Sequence, residues 1–287
     1  MVLNSPEPPA TSPATATVTA AVDTDPAGGP TVDPAGDPVP GANDTYPSNT
    51  ALYADPGLTE GVDYGRRYRR HRVDAGPPGA PPRWIRTTVI APHGGGIEEG
   101  TSELCLAIAG YHPADLSPGP DGGPPHDFWI FDGLRAAGNA PLHVTATHCD
   151  DTVARALAAG SLNVLSVHGC SPARAGLEAG ARAVLVGGLN AAFRRYLVEE
   201  FTAAGIRAVG ATGQERIAGR SPENICNRTL LGMGAQLEIT AELRRALFAE
   251  GSNTLALRAT ATLPLFWSFA GATRSAIRRL EADQPVA

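Results

Sequence analysis

Val89-Ile90-Ala91-Pro92-His93-Gly94-Gly95-Gly96-Ile97-Glu98-Glu99-Gly100-Thr101-Ser102-Glu103 is the stretch that decides how this chain is read. A β-branched apolar run stops at a histidine, glycines strip side chains from the turn that follows, and a carboxylate returns just before a helix start. His93 offers a neutral imidazole and Glu98 a carboxylate, ligand types that suit Zn²⁺. Glycine lets the backbone approach an ion or a substrate with no β-carbon in the way. The competing reading is a tight turn after a strand, beside a solvated histidine. The pattern predicts a strand over residues 87–91 and a helix from Thr101, capped by its own hydroxyl, to residue 109, with Gly110 as the stop.

Upstream of this stretch the composition changes. Residues 1–44 are Pro, Ala, Thr, Gly and Asp with scattered valines, as in Ser5-Pro6-Glu7-Pro8-Pro9, and read as a disordered tail ahead of one folded domain over residues 45–287. The N-terminus lacks a positive segment followed by a continuous apolar one, and no apolar run is long enough to span a bilayer. A cytoplasmic protein with no membrane partner is expected, with release to the exterior left open. Net charge is -6, and all 23 basic residues are arginine. Bulk charge argues against nucleic acid, whereas arginine grips carboxylates with two parallel bonds, so an acidic substrate is compatible. Cys105, Cys149, Cys170 and Cys226 are too widely spaced for a structural zinc knuckle and read as free thiols. A Cys149–Cys170 bridge is the one pairing considered, and it is not adopted.

Downstream, short apolar runs alternate with amphipathic segments, the pattern of an α/β fold. Strands are expected at 127–131, 142–148, 163–168, 183–188, 206–209 and 235–239. Helices are expected at 152–159, 190–204, 241–250 and 266–282, with a short helix or turn at 175–179. Residues 113–125 read as a Pro/Gly-rich surface loop.

In open α/β sheets, ligands bind outside the carboxyl ends of strands. His93, His148 and His168 each follow an apolar strand-like run, and with Glu98 they gather in one crevice if those strands are parallel neighbours. His93 and His168 are each followed by glycine, which strengthens a coordinating role, and His148 is the reserve ligand. His112, His126 and His143 read as packed or solvated, and His71, in an arginine-rich stretch, as part of a solvated face. Glu238 is a lone carboxylate in an apolar strand and a candidate general base. An outward-facing charge on an edge strand is its rival reading. Arg228, ending the polar stretch Ser221-Pro222-Glu223-Asn224-Ile225-Cys226-Asn227-Arg228, is either a carboxylate clamp or a surface cation.

In order, His93-Gly94-Gly95-Gly96-Ile97-Glu98 with Thr101-Ser102-Glu103, Leu142 to Asp150, Val167-His168-Gly169, Asn224-Ile225-Cys226-Asn227-Arg228 and Gln236-Leu237-Glu238 resemble the poly-γ-glutamate hydrolase family. The resemblance covers roughly residues 46–245. It implies a mixed, largely parallel sheet flanked by helices, similar to the zinc carboxypeptidases. It also implies zinc held by His93, Glu98 and His168, Glu238 as general base, and Arg228, Asn227 and Gly169 at the substrate. The implied activity is zinc-dependent cleavage of γ-glutamyl amides, with poly-γ-glutamate leading. The alternatives are another acyl-amino acid or cell-wall peptide as the amide, and a non-enzymatic, phage-related nucleic-acid-binding protein. The Asn227-Arg228 pair follows the third ligand, whereas the corresponding pair of carboxypeptidases precedes it, and the 113–125 loop reads as an addition near the site.

Overall fold

The structure, a computed structural model, describes residues 44–71, 84–212 and 217–284. The expected tail lies outside these residues except for Asp44. The described elements are helix α1 (Asn49–Tyr53), strand β1 (Tyr64–Arg69), β2 (Thr87–Gly95), α2 (Thr101–Ala109), β3 (Asp127–Gly133), α3 (Thr152–Ala159) and β4 (Asn163–Cys170). They continue with β5 (Val184–Gly187), α4 (Ala191–Ala203), β6 (Ala208–Gly210), β7 (Ala235–Thr240), α5 (Ala241–Ala246) and α6 (Pro264–Ala282).

The strands form one seven-stranded sheet in the order β1-β3-β2-β4-β7-β5-β6. Pairs β2/β3, β2/β4, β4/β7 and β5/β6 are parallel, and β1/β3 and β5/β7 are antiparallel. The mixed, largely parallel sheet flanked by helices is therefore as expected. Its interior strands are buried on both faces, which is why they read as continuous apolar runs. Val89, Ile130, Val167, Val186 and Leu237 pack under α2, α4 and α6. Ile90, Trp129, Phe131 and Val164 face the other way, toward α1, α3 and the chain around Leu142 and Ile225.

The site's location follows from this topology. β2 connects through α2 to β3 on one side, while the chain leaving β4 runs to β5 on the other. Departures in opposite directions from neighbouring strands open a crevice at their carboxyl ends. A bulge then re-aims one residue. Ala91 pairs with Ile130 but Gly94 with Asp132, so β2 carries one extra residue between them. The insertion swings His93 onto the Ile90 face, the face His168 shares.

Several expectations are corrected. Residues 142–148 are not a strand. Ala140–Leu142 is a 3₁₀ turn containing Pro141, and the chain beyond it satisfies its backbone elsewhere: the Thr145 amide donates to Asp44, and the Ala146 carbonyl accepts from the Ile225 amide. α5 stops at Ala246 rather than 250, because the Ala249 amide turns to the Ala261 carbonyl. Thr101 is the first helical residue, not the cap. Gly100 holds that position at φ 92°, and the Thr101 hydroxyl donates to the Glu98 carbonyl instead. The 113–125 loop packs at the far end of α2, where Arg274 donates to the Pro124 carbonyl, and does not line the cleft. His71 is not solvated; its Nδ1 lies 2.8 Å from Asp127 Oδ1 and its ring stacks on Tyr111. All four cysteines are buried, and none is joined in a disulfide.

Candidate metal centre and active-site cleft

His93, Glu98 and His168 are the one group of three metal-ligating side chains that converges among the described residues, and all are buried. Each is placed by a different device. His93 stands on the β2 bulge. Glu98 follows a loop closed by its own amide on the His93 carbonyl, 2.8 Å away. His168 lies near the end of β4 on the same face as Ser166. The glycines between His93 and Glu98 are needed for close approach: a β-carbon on Gly95, whose φ is 66°, would lie 2.2 Å from the Gly133 carbonyl oxygen.

The hydrogen bonds decide which atoms face one another. His93 Nε2 lies 2.8 Å from the Val144 carbonyl, which can only accept, so in the neutral ring Nε2 carries the proton and Nδ1 a lone pair. That Nδ1 is 3.0 Å from Glu98 Oε1 and 3.1 Å from His168 Nδ1. His168 Nε2 is held by Ser166 Oγ at 2.8 Å, and Glu98 Oε2 accepts from the Gly169 amide at 2.8 Å. His93 Nδ1, His168 Nδ1 and the Glu98 carboxylate thus face one another while their other atoms are anchored, as in sites where outer hydrogen bonds orient metal ligands. The two imidazoles face different oxygens of one carboxylate, His93 Nδ1 at 3.0 Å from Oε1 and His168 Nδ1 at 3.6 Å from Oε2, and one ligand atom from each of the three residues lies within 4.8 Å of the others. The donor set fits a small divalent cation such as zinc.

Charge coupling agrees with this geometry. Burial alone would raise the Glu98 carboxyl, but His93 and His168 beside it hold it well below the usual carboxylate range. Burial would lower His93, and Glu98 more than offsets it, so His93 is raised. His168 is lowered, chiefly by burial.

His143 is packed, as expected, but it is packed in the site. Its ring lies 3.9 Å from that of His93 between centroids, and its Nδ1 meets Asp44 Oδ1 at 2.9 Å. Burial, then His93, pushes His143 down to about 4. Against an opposing effect of burial, the bonds from His143 and the Thr145 amide hold Asp44 at about 2. His148, the reserve ligand, is excluded from the cluster: its side chain is 55% exposed and its Nδ1 sits 3.7 Å from Asp44.

A cleft of about 110 Å³ opens beside these residues, lined among others by Glu238, Gln236, Asn224, Arg174 and Arg220. Glu238 pairs in register with His168 across β4 and β7 and shares its face. β7 is an interior strand, so the edge-strand reading of Glu238 does not hold. Gln236 Nε2 donates to Glu238 Oε1 at 2.6 Å, and Asn224 donates to Gln236 Oε1 at 2.9 Å, so the carboxylate is oriented by a polar chain. Arg228 lies outside the cleft lining, with its guanidinium on Glu223. The Asn227 side chain closes its own loop, accepting from the Leu189 and Gly234 amides and donating to the Gly219 and Ser221 carbonyls.

Asp44, Arg174 and Arg220 were not singled out from the sequence, while His143 and Gln236 lay in quoted motifs without being given a role in the site. Only Gln236 carried a local signal, its alternation with Glu238 on one strand face.

Known proteins are similar to this chain in sequence and fold. A bacteriophage poly-gamma-glutamate hydrolase of known structure superposes with a TM-score of 0.68 at 31% identity, covering 84% of this chain and 99% of that one. The structure described as YndL apo, zinc-free, gives 0.64 at 28% identity, covering 85% and 100%. From Bacillus subtilis strain 168, the SPbeta prophage-derived protein YoqZ is 34% identical over 163 residues, 57% of this chain and 52% of that one. YndL of the same strain is 33% identical over 181 residues, 63% of each. The chain thus spans between about half and two thirds of these curated relatives. Residues 82–269 match the model of the poly-gamma-glutamate hydrolase family, and the chain belongs to that family.

Proposed function

We propose that the protein is a zinc-dependent hydrolase of γ-glutamyl amide bonds, with poly-γ-glutamate as its leading substrate. The observation that carries this reading is the anchored convergence of His93 Nδ1, His168 Nδ1 and the Glu98 carboxylate on the lining of a cleft that also holds the buried carboxylate of Glu238. Family membership supports the polymer, and the zinc-free description of YndL supports the metal.

His93, Glu98 and His168 would hold the zinc, which when bound polarises a carbonyl and acidifies water. Glu238 stands one strand from His168 on the same face, where it takes the proton of the attacking water and delivers it to the nitrogen of the departing amide. Gln236 fixes the angle at which Glu238 does so. Arg174 and Arg220, on the cleft lining, receive the carboxylates that every residue of the polymer carries. Arg228 reaches a substrate carboxylate only by leaving Glu223.

The test is metal analysis of the purified protein together with chain-length analysis of poly-γ-glutamate after incubation. Stoichiometric zinc and shortened polymer, both lost in His93→Ala, are expected. A metal-free wild type, or cleavage unchanged in His93→Ala, overturns the reading.

A further inference from the structure

One buried guanidinium touches the chain immediately after each of three site residues. Arg244, on α5, is 4% exposed. Its Nε donates to the carbonyl of Ile239, the residue after Glu238, at 3.2 Å. Its Nη1 donates to the carbonyl of Glu99, the residue after Glu98, at 2.9 Å. It also fills the space a side chain on Gly169, the residue after His168, would occupy: a β-carbon there would lie 2.5 Å from Arg244 Cζ and 2.6 Å from Nε. The Gly169 amide in turn holds Glu98 Oε2.

We infer that Arg244 is a positioning residue that fixes the relative placement of Glu98, His168 and Glu238, and so sets both metal affinity and turnover. The inference rests on the function proposed above. Those residues come from three separate segments: the β4/β7 ladder joins His168 to Glu238, the Gly169 amide joins the His168 segment to Glu98, and Arg244 closes the remaining edge between the Glu98 and Glu238 segments. A guanidinium is planar, with donors in a rigid fork, so two carbonyls bound at different edges are held at a fixed angle. A lysine ammonium is a single point on a flexible stem and cannot span the same two carbonyls from the same place. Gly169 is glycine because this plane lies against it.

The experiment compares wild type, Arg244→Lys and Arg244→Met as full chains. Zinc affinity is measured by chelator competition, kcat and KM on poly-γ-glutamate, and thermal stability on zinc-stripped protein. Arg274→Lys is the control, since Arg274 is equally buried and binds the Ile108 and Pro124 carbonyls away from the cleft. Both Arg244 variants are expected to lose about 10–100-fold in zinc affinity, the scale seen when outer partners of metal ligands are removed. They should lose kcat with KM little changed, whereas Arg274→Lys loses stability alone. Gly169→Ala, which keeps the arginine but pushes its plane away, should reproduce the affinity loss. Zinc affinity and kcat within twofold of wild type in Arg244→Lys overturns the inference, as does an equal zinc loss in Arg274→Lys. A wild type that neither binds zinc nor cleaves polymer defeats the functional reading instead.

Discussion

The hydrogen bond between His93 Nε2 and the Val144 carbonyl determines which nitrogen of His93 faces Glu98. Because the carbonyl only accepts, Nδ1 is the nitrogen left to face the carboxylate 3.0 Å away, and Glu98 raises His93, so a proton holds there the place that a cation would take. Zinc should therefore stabilise the folded protein by about 2.7 kcal/mol when present at 100 times its dissociation constant. Thermal melts with and without chelator check this. The zinc-dependent shift should be absent in His93→Ala and retained in His148→Ala, because His148 points away from the cluster.

Glu238→Gln keeps the size of the side chain and removes its capacity to take a proton. Turnover of poly-γ-glutamate should fall by about 10²–10⁴-fold, the usual contribution of a positioned general base. Zinc content should stay at the wild-type level, since Glu238 is outside the converging group. Single-turnover assays with metal analysis of the same samples make the comparison.

Arg174→Ala and Arg220→Ala should raise KM for the polymer by about tenfold each, consistent with loss of a hydrogen bond to a charged group. Arg228→Ala should change it far less, since its guanidinium already lies on Glu223 outside the cleft. Steady-state kinetics at low and moderate salt would show the cleft variants losing much of the wild type's salt sensitivity.

Stability should fall in mild acid partly because of His126, far from the cleft. Burial, then the Arg274 cation, lowers His126 from 6.5 to about 3. Between those values the unfolded chain holds more protons than the folded one. Its contribution is thus intact above about pH 6.5 and lost as pH falls toward about 3, at up to about 1.4 kcal/mol per pH unit. Denaturant titrations across this window should give a flatter pH dependence for His126→Phe than for wild type, whatever the variant's absolute stability.

Much of the sheet was legible because its interior strands are apolar on both faces and end in a change of residue type. Val164 to Val167 stops at His168 and Val184 to Val186 at Gly187, and both boundaries hold to within a few residues. The region around His143 misled because Val144 and Ala146 alternate with polar residues just as strand residues do. What separates the two cases is long-range: Asp44 and Ile225 supply partners for Thr145 and Ala146 that a neighbouring strand would otherwise provide. His93, Glu98 and His168 could be selected from ligand chemistry and flanking glycine. The Asp44–His143 pair could not, since 99 positions separate its members. Nor does the β2 bulge show in sequence, although it determines which face His93 takes.

Asp44 stands ahead of α1 and of all seven strands, yet its carboxylate secures both His143 and the amide of Thr145. A chain trimmed to begin at Thr45 would lose the carboxylate that holds His143 and the Thr145 amide beside His93. Removing that one carboxylate is therefore expected to cost the cleft more than the sheet, with activity and melting temperature of the trimmed chain as the paired readout.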